Sequence, residues 1–159
     1  MADAALSLVA GAKVYVSGVI SSPVLAEFEN VSRTWTEVKG VTAIGAFGDE
    51  AEIATLQTID GARVRKRKGT RDAGTLELTV GRDPADAGQV ALRAAEKTSS
   101  VYALKIVGND APEGGDPTIY YLAGVVASAK NEMAGANDFV STVFSVAIDA
   151  QPVIVEASA

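Results

Sequence analysis

The chain has 159 residues, 48% of them hydrophobic but only 6% aromatic, and its 14 Lys and Arg against 20 Asp and Glu leave a net charge of -6. That length holds one domain with a real core, and the acidic balance argues against a surface that binds polyanions throughout. With no cysteine and no histidine, disulfides, thiolate nucleophiles and zinc-thiolate sites are excluded, as are the usual general base near neutral pH and the commonest metal ligand.

Asp3 stands where a secretory leader carries Lys or Arg, and the apolar run over residues 4–12 is too short to span a bilayer. Residues 1–12 are read as an arm on a protein that folds in the cytoplasm. "KVYVSG" (13–18) alternates, with Val14 and Val16 on one face of a short strand. "RTWTEVKGVTAIG" (33–45) is rich in β-formers and is punctuated by Gly40 and Gly45. "AFGDEAE" (46–52) reads as an acidic loop. Residues 53–69 read as a hairpin with a tight two-residue turn at Asp60 and Gly61, and residues 70–75 as a loop.

"TLELTVG" (75–81) sets Leu76, Leu78 and Val80 against Thr75, Glu77 and Thr79, the pattern of a half-buried strand. The spacing predicts one helix over residues 84–97, with Asp83 as N-cap, Pro84 in the first turn and a stripe of Ala87, Val90, Ala91, Ala94 and Ala95. So slim a helix can lie close against a sheet, although Gly88 weakens it by about 1 kcal/mol relative to Ala. A strand over residues 100–108, a polar loop over 109–117, and two longer strands over 118–130 and 138–149 follow. In the last, Val140, Phe144, Val146 and Ile148 alternate with Ser141, Ser145 and Asp149. Residues 150–159 are read as a tail. Six or seven strands, one helix and no βα alternation predict a mainly β fold, an antiparallel β-sandwich or partly open barrel with one flanking helix.

No stretch carries recognisable catalytic chemistry. "GAFGDE" and "GTRDAG" lack the lysine and the following helix of a phosphate loop. "DEAE" and "NDAPEGGD" lack the ligand order of a calcium loop. No cofactor or metal is expected. A paired-carboxylate hydrolase stays open, with no pair singled out. Trp35, Tyr102, Tyr120 and Tyr121 are read as core or interface anchors rather than a base-stacking platform.

The unusual stretch is "RVRKRKGTRD" (63–72), which holds Arg63, Arg65, Lys66, Arg67, Lys68 and Arg71. Only Val64 is apolar in its alternation, so neither face can enter a core. It is a solvated hairpin tip, a polyanion contact, or a self-association element that meets acidic residues of another copy. The strongly acidic remainder favours the third, and such a head-to-tail contact generates rings or filaments.

"TWTEVKGVTAIG", then "ATLQTIDGARVRKRKGTRDAGTLELTVGRDPADAGQVALRAAEKT", then "GVVASAKNEMAGANDFVSTVFSVAID" resemble the major tail tube proteins of long-tailed bacteriophages, over roughly residues 33–149. The resemblance lies in the order of the parts: an aromatic strand, the Asp60-Gly61 hairpin entry, a basic stretch ending in Gly, "D-x-G" before an alternating strand, and a "D-x-G-x-x-A-L-R-A-A" helix. A final strand pair opening "G-x-V-x-S" completes it. Related tubes occur in contractile tails and type VI secretion.

The resemblance implies a non-enzymatic virion protein whose β-sandwiches form stacked hexameric rings, their inner strands closing into a continuous barrel. Implied partners are further copies of itself, the tape-measure protein, the tail terminator and the distal tail or baseplate proteins. DNA would cross the lumen without tight binding, and no membrane is involved. The implied location is the virion tail, assembled in the host bacterial cytoplasm. The arm 1–12, the loop and hairpin 46–74 and the tail 150–159 would contact neighbours within a single tail-tube domain, 1–159. No additional immunoglobulin-like domain is expected, which implies a smooth exterior. The expected contact residues are Arg63, Arg65, Lys66, Arg67, Lys68 and Arg71 with Asp49, Glu50 and Glu52. The expected lumen-facing residues are Thr75, Glu77, Thr79, Ser141, Ser145 and Asp149. The alternative is a nucleic-acid-binding β-barrel that uses residues 63–71.

Overall fold

Strand β1 (Lys13–Val19) presents Val14 and Val16 to the core, as its alternation predicts. In the computed structural model, which describes residues 8–159, β1 lies between β2 (Thr36–Val38) and β7 (Tyr102–Val107). Next to β7 runs β8 (Ile119–Glu132), the longest strand. Its first half bonds to β7 on one edge and to β10 (Val153–Val155) on the other. Its second half bonds to β9 (Ser141–Ile148). The register shifts between Val126 and Ser128, an irregularity that bends one strand so that it serves two layers. β9 pairs along its whole length with β6 (Thr75–Gly81), and β6 with β3 (Val41–Ile44). Every pairing is antiparallel and the sheet does not close, so the mainly β, open-sandwich expectation holds.

The core lies between the layers. Val14, Val16, Val38, Leu104, Ile106 and Leu122 of one layer cluster with Leu76, Leu78, Val80, Phe144, Val146 and Ile148 of the other. A second cluster covers the outer face of the first layer: Ile20, Phe28, Ala103, Tyr121 and Ala123, with Trp35 and Val153 against it. Phe28 comes from a short helix, α1 (Leu25–Phe28), that the sequence did not predict. Its ring stacks on Tyr121 at 5.1 Å. Arg33 ties this segment down by donating to the Glu27 carbonyl and carboxylate and to the Gly18 carbonyl. The first layer is thus covered on both faces and the second on one only.

The flanking helix α2 spans Ala87–Glu96, shorter than the 84–97 expected. Asp83 caps only the preceding turn, accepting from the Ala85 N–H, and Asp86 is the true N-cap. Asp86 also accepts from the Lys39 N–H, a bond Asp83 does not make. The buried stripe is Gly88, Gln89, Leu92 and Ala95, while Val90 is half exposed. Periodicity misplaced it because a polar side chain faces inward. Gln89 is fully buried, accepts from the Asp83 N–H, and donates to the Lys39 and Gly81 carbonyls. That amide pins the corner between β2 and β3 to the end of β6. Gly88 permits the approach, since a Cβ there would overlap the Glu37 carbonyl and lie 2.6 Å from the Val38 Cα.

The hairpin and the C-terminal strands also differ from the sequence expectation. Strands β4 (Glu50–Leu56) and β5 (Arg65–Asp72) do form a hairpin. However, Leu56 pairs with Arg65, which leaves residues 57–64 as the connection. Neither Asp60 nor Gly61 has a positive φ, so the tight turn is not formed. Pairing at the other end runs out to Glu50 and Asp72, which converts much of the expected loops 46–52 and 70–75 into strand. Gly74, at φ +75°, makes the turn into β6. Val140 lies before β9 and is exposed, not a core residue. Residues 150–159 include β10, and Ser158 bridges to Asp116.

Candidate assembly surfaces

The hairpin β4–β5 is a sheet of its own, paired with no strand of the main sheet. All of β5 is exposed, and so are Ile53, Leu56, Ile59 and Val64. A lone two-stranded hairpin is at best marginally stable in water, and the described residues give this one no further strand to pair with. Its cations gain little support within the chain. Arg65 lies opposite Leu56, Lys66 opposite Thr55, Arg67 opposite Ala54 and Lys68 opposite Ile53. Among the described residues, Arg71 with Asp49 at 3.5 Å is the hairpin's one ion pair, leaving Arg63, Arg65, Lys66, Arg67 and Lys68 without one.

The acidic residues gather at the hairpin's base. Glu50 is opposite Asp72, and Glu52 accepts from the Thr70 hydroxyl at 3.3 Å. Like charges directly across a strand pair repel. The hairpin therefore has an acidic root and a basic outer half. Asp49, Glu50 and Glu52 lie on the same element as the cations, at its other end.

The second surface is the outer face of the layer β8–β9–β6–β3. Thr75 pairs with Ala147, Glu77 with Ser145, Thr79 with Val143 and Gly81 with Ser141. Cross-strand partners share a face, so Thr75, Glu77, Thr79, Ser141 and Ser145 lie together opposite the core. Asp149 does not join them within the sheet. It lies beyond β9, exposed, its N–H bonded to the Ala123 carbonyl. Beyond the bulge, β8 adds Ser128, Lys130 and Glu132 to the same face. The sequence reading missed them, although "S-x-K-x-E" over residues 128–132 carries the alternation. The face is small, polar and only lightly charged. Among the described residues both lateral edges of the layer are open: β3 on one side, and on the other β8 beyond Gly124, where pairing with β7 stops.

The aromatic residues serve as anchors. Trp35 and Tyr121 pack in the second cluster and Tyr120 meets Phe47 edge-on at 5.2 Å. Lys105 holds its ammonium 4.7 Å from the Tyr15 ring centre and 4.8 Å from that of Trp35. Burial pushes its pKa below the usual lysine value. No cluster of three or more acidic residues with metal-binding geometry occurs among the described residues.

Comparisons with known proteins bear on the family and the fold. The pattern of the phage tail tube protein (TTP) family matches residues 17–157. No curated protein sequence matches at a significant level. The chain is similar in fold to the SPP1 tail tube determined by solid-state NMR and cryo-EM, with a TM-score of 0.62 and 14% identity over 91% of this chain and 77% of that one. It is similar to a chain in the sheath/tube terminator of an extracellular contractile injection system, PVC, in the extended state, with a TM-score of 0.67 and 12% identity over 93% and 95% of the two chains. A chain in the tube-terminating cap of the anti-feeding prophage gives a TM-score of 0.68 and 13% identity over 98% and 95%. At such identities these likenesses concern the fold. The family match rests on sequence and spans nearly all of the described residues, and on it the chain belongs to the phage tail tube protein family, a structural family of the virion rather than an enzyme family.

Proposed function

We propose that this chain is the repeating subunit of a tail tube: it forms hexameric rings, the rings stack head to tail, and DNA passes through the bore. The observation that carries this reading is the layer β8–β9–β6–β3, with one face on the core, the other small and polar, and both edges unpaired among the described residues. Unpaired edges are templates for further pairing. Joining β3 of one copy to the free edge of β8 in the next satisfies both, and six copies then contribute four strands each to one closed barrel. Thr75, Glu77, Thr79, Ser141 and Ser145 line its bore and Asp149 its rim. A conduit must not grip its cargo, because each phosphate neutralised adds affinity. Hydroxyls, Glu77 and Glu132, set against the single Lys130, meet that requirement.

The hairpin cations, Arg63 to Lys68 with Arg71, engage Asp49, Glu50 and Glu52 of a neighbouring copy. The arm and the C-terminal residues contact neighbours as well. The whole chain acts as one tail-tube domain without catalysis. Its further partners are the tape-measure protein, the terminator and the distal tail or baseplate proteins. The terminator and cap named for structures of similar fold support this. Assembly takes place in the host cytoplasm.

Electron microscopy of the concentrated, purified protein tests the reading: rings or tubes are expected. The rival, a nucleic-acid-binding domain, draws on the five hairpin cations that have no ionic partner among the described residues. A persistent monomer that binds DNA tightly and salt-sensitively would favour it instead.

A further inference from the structure

Of the nine aromatic residues, one is exposed: Phe139, at 91%, in the loop that joins β8 to β9. This loop is not a loose end. The Asp138 carboxylate accepts from the Gly135 N–H at 2.9 Å, the Asp138 N–H donates to the Gly135 carbonyl, and the Val140 carbonyl accepts from the Arg82 N–H. A turn held by three hydrogen bonds thus keeps a phenyl ring in water, and Met133 of the same loop is 75% exposed.

Toward the opposite end of the same layer there is an apolar groove of about 270 Å³, where β3 ends at Gly45. Ile44, Phe47, Ile106 and Tyr120 form its walls, with Leu8 and Val9 at its lip. The polar groups around it are already engaged. Asp110 accepts from the Thr118 N–H and hydroxyl, and Asn109 donates to the Ala10 carbonyl. What remains for a visitor is mainly apolar. A cavity of about 150 Å³ already admits a benzene ring. Gly45 bonds to Glu77, and Val140 to Arg82, so on the order of 20 Å of strand separates groove from loop at ~3.3 Å per residue. Phe139 therefore cannot reach the groove of its own chain.

From this we infer that Phe139 of one copy seats in the Phe47–Tyr120 groove of a copy in the adjacent ring. This deepens, and rests on, the stacked-ring reading. A knob at one end and its socket toward the other make a heterologous contact, which repeats without closing and so extends a stack rather than completing a ring. The two surfaces divide the work: open strand edges close the ring, and the Phe139 knob joins one ring to the next.

The test is Phe139→Ser, whose site is exposed, so circular dichroism should report an unchanged fold. Rings should persist while the critical concentration for tube growth rises at least about tenfold, the scale of one lost interface anchor. Because the chain has no cysteine, Phe139→Cys combined with Phe47→Cys gives a clean second readout. Oxidation of the assembled double variant should link copies into ladders longer than six. Tubes of wild-type length from Phe139→Ser, without ladders from the cysteine pair, would overturn the contact and leave the tube reading intact. Loss of stacking on removal of residues 2–7 but not with Phe139→Ser would assign the groove to the chain's own N-terminus and overturn it as well. Failure of the unaltered protein to form rings or tubes would instead refute the stacked-ring reading.

Discussion

Replacing Gly88 with Ala sets two effects of opposite sign against each other. In an isolated helix the change stabilises by about 1 kcal/mol. In this fold the new methyl meets β2 backbone: it overlaps the Glu37 carbonyl oxygen and lies 2.6 Å from the Val38 Cα. Carbon atoms prefer about 3.5–4.0 Å, so helix and strand must part by roughly 1 Å. Overpacking of this kind costs about 1–3 kcal/mol, and rigid backbone on both sides argues for the upper end. The retreat also stretches the bonds from Lys39 to Asp86 and from Gln89 to Lys39, a loss of about 1 kcal/mol. The net is a destabilisation of about 3 kcal/mol, or a fall in Tm of roughly 6–12 °C at this chain length. Urea denaturation followed by Trp35 fluorescence measures it on unassembled protein. Gly18→Ala is the control, because nothing lies within 4 Å of its added Cβ, and it should move stability by no more than about 1 kcal/mol. An unchanged or raised midpoint for Gly88→Ala would refute the packing argument. The helix N-terminus holds the β2–β3 corner in place, so the same variant should also assemble less well.

Charge reversal at Arg65 and Arg67 removes two cations that have no ionic partner among the described residues. The monomer should keep its stability to within about 0.5 kcal/mol, as surface changes do, while sedimentation shows polymerisation blocked; normal tubes would contradict the role given to the hairpin. In hydrogen exchange, β4 and β5 amides should exchange rapidly in the monomer and become protected on assembly, because the hairpin pairs with no other strand among the described residues. Lys105 offers a pH test. Burial lowers its pKa from 10.5, so the folded state loses this proton more readily than the unfolded chain. Its contribution to stability then grows as pH rises through the folded pKa toward 10.5 and is missing at lower pH. An NMR titration that reads 10.5 or above for Lys105 contradicts the burial.

Strands with clean alternation were legible in the sequence. Val14, Val16, Leu76, Leu78, Val80, Phe144, Val146 and Ile148 all face the core as their spacing requires. The same alternation placed Thr75, Glu77, Thr79, Ser141 and Ser145 on one surface. Features set by tertiary contact were not legible. Gln89 is polar, so periodicity turned it outward, yet its amide completes the corner at Lys39 and Gly81. The Asp60-Gly61 pair signalled a tight turn, but the hairpin's register was fixed further back, at Leu56 and Arg65. The bend in β8 depends on a shift between Val126 and Ser128 that no local residue pattern announces. The groove at Phe47 and Tyr120 draws its walls from distant segments, and only the folded chain brings them together.

A cryo-EM reconstruction of the assembled protein tests the central claim most directly. Stacked six-fold rings are expected, in which β3 of each subunit pairs with β8 of the next and Thr75, Glu77, Thr79, Ser141 and Ser145 face the bore. A map that places those five residues on the exterior, or leaves the edges of β3 and β8 unpaired, would contradict it.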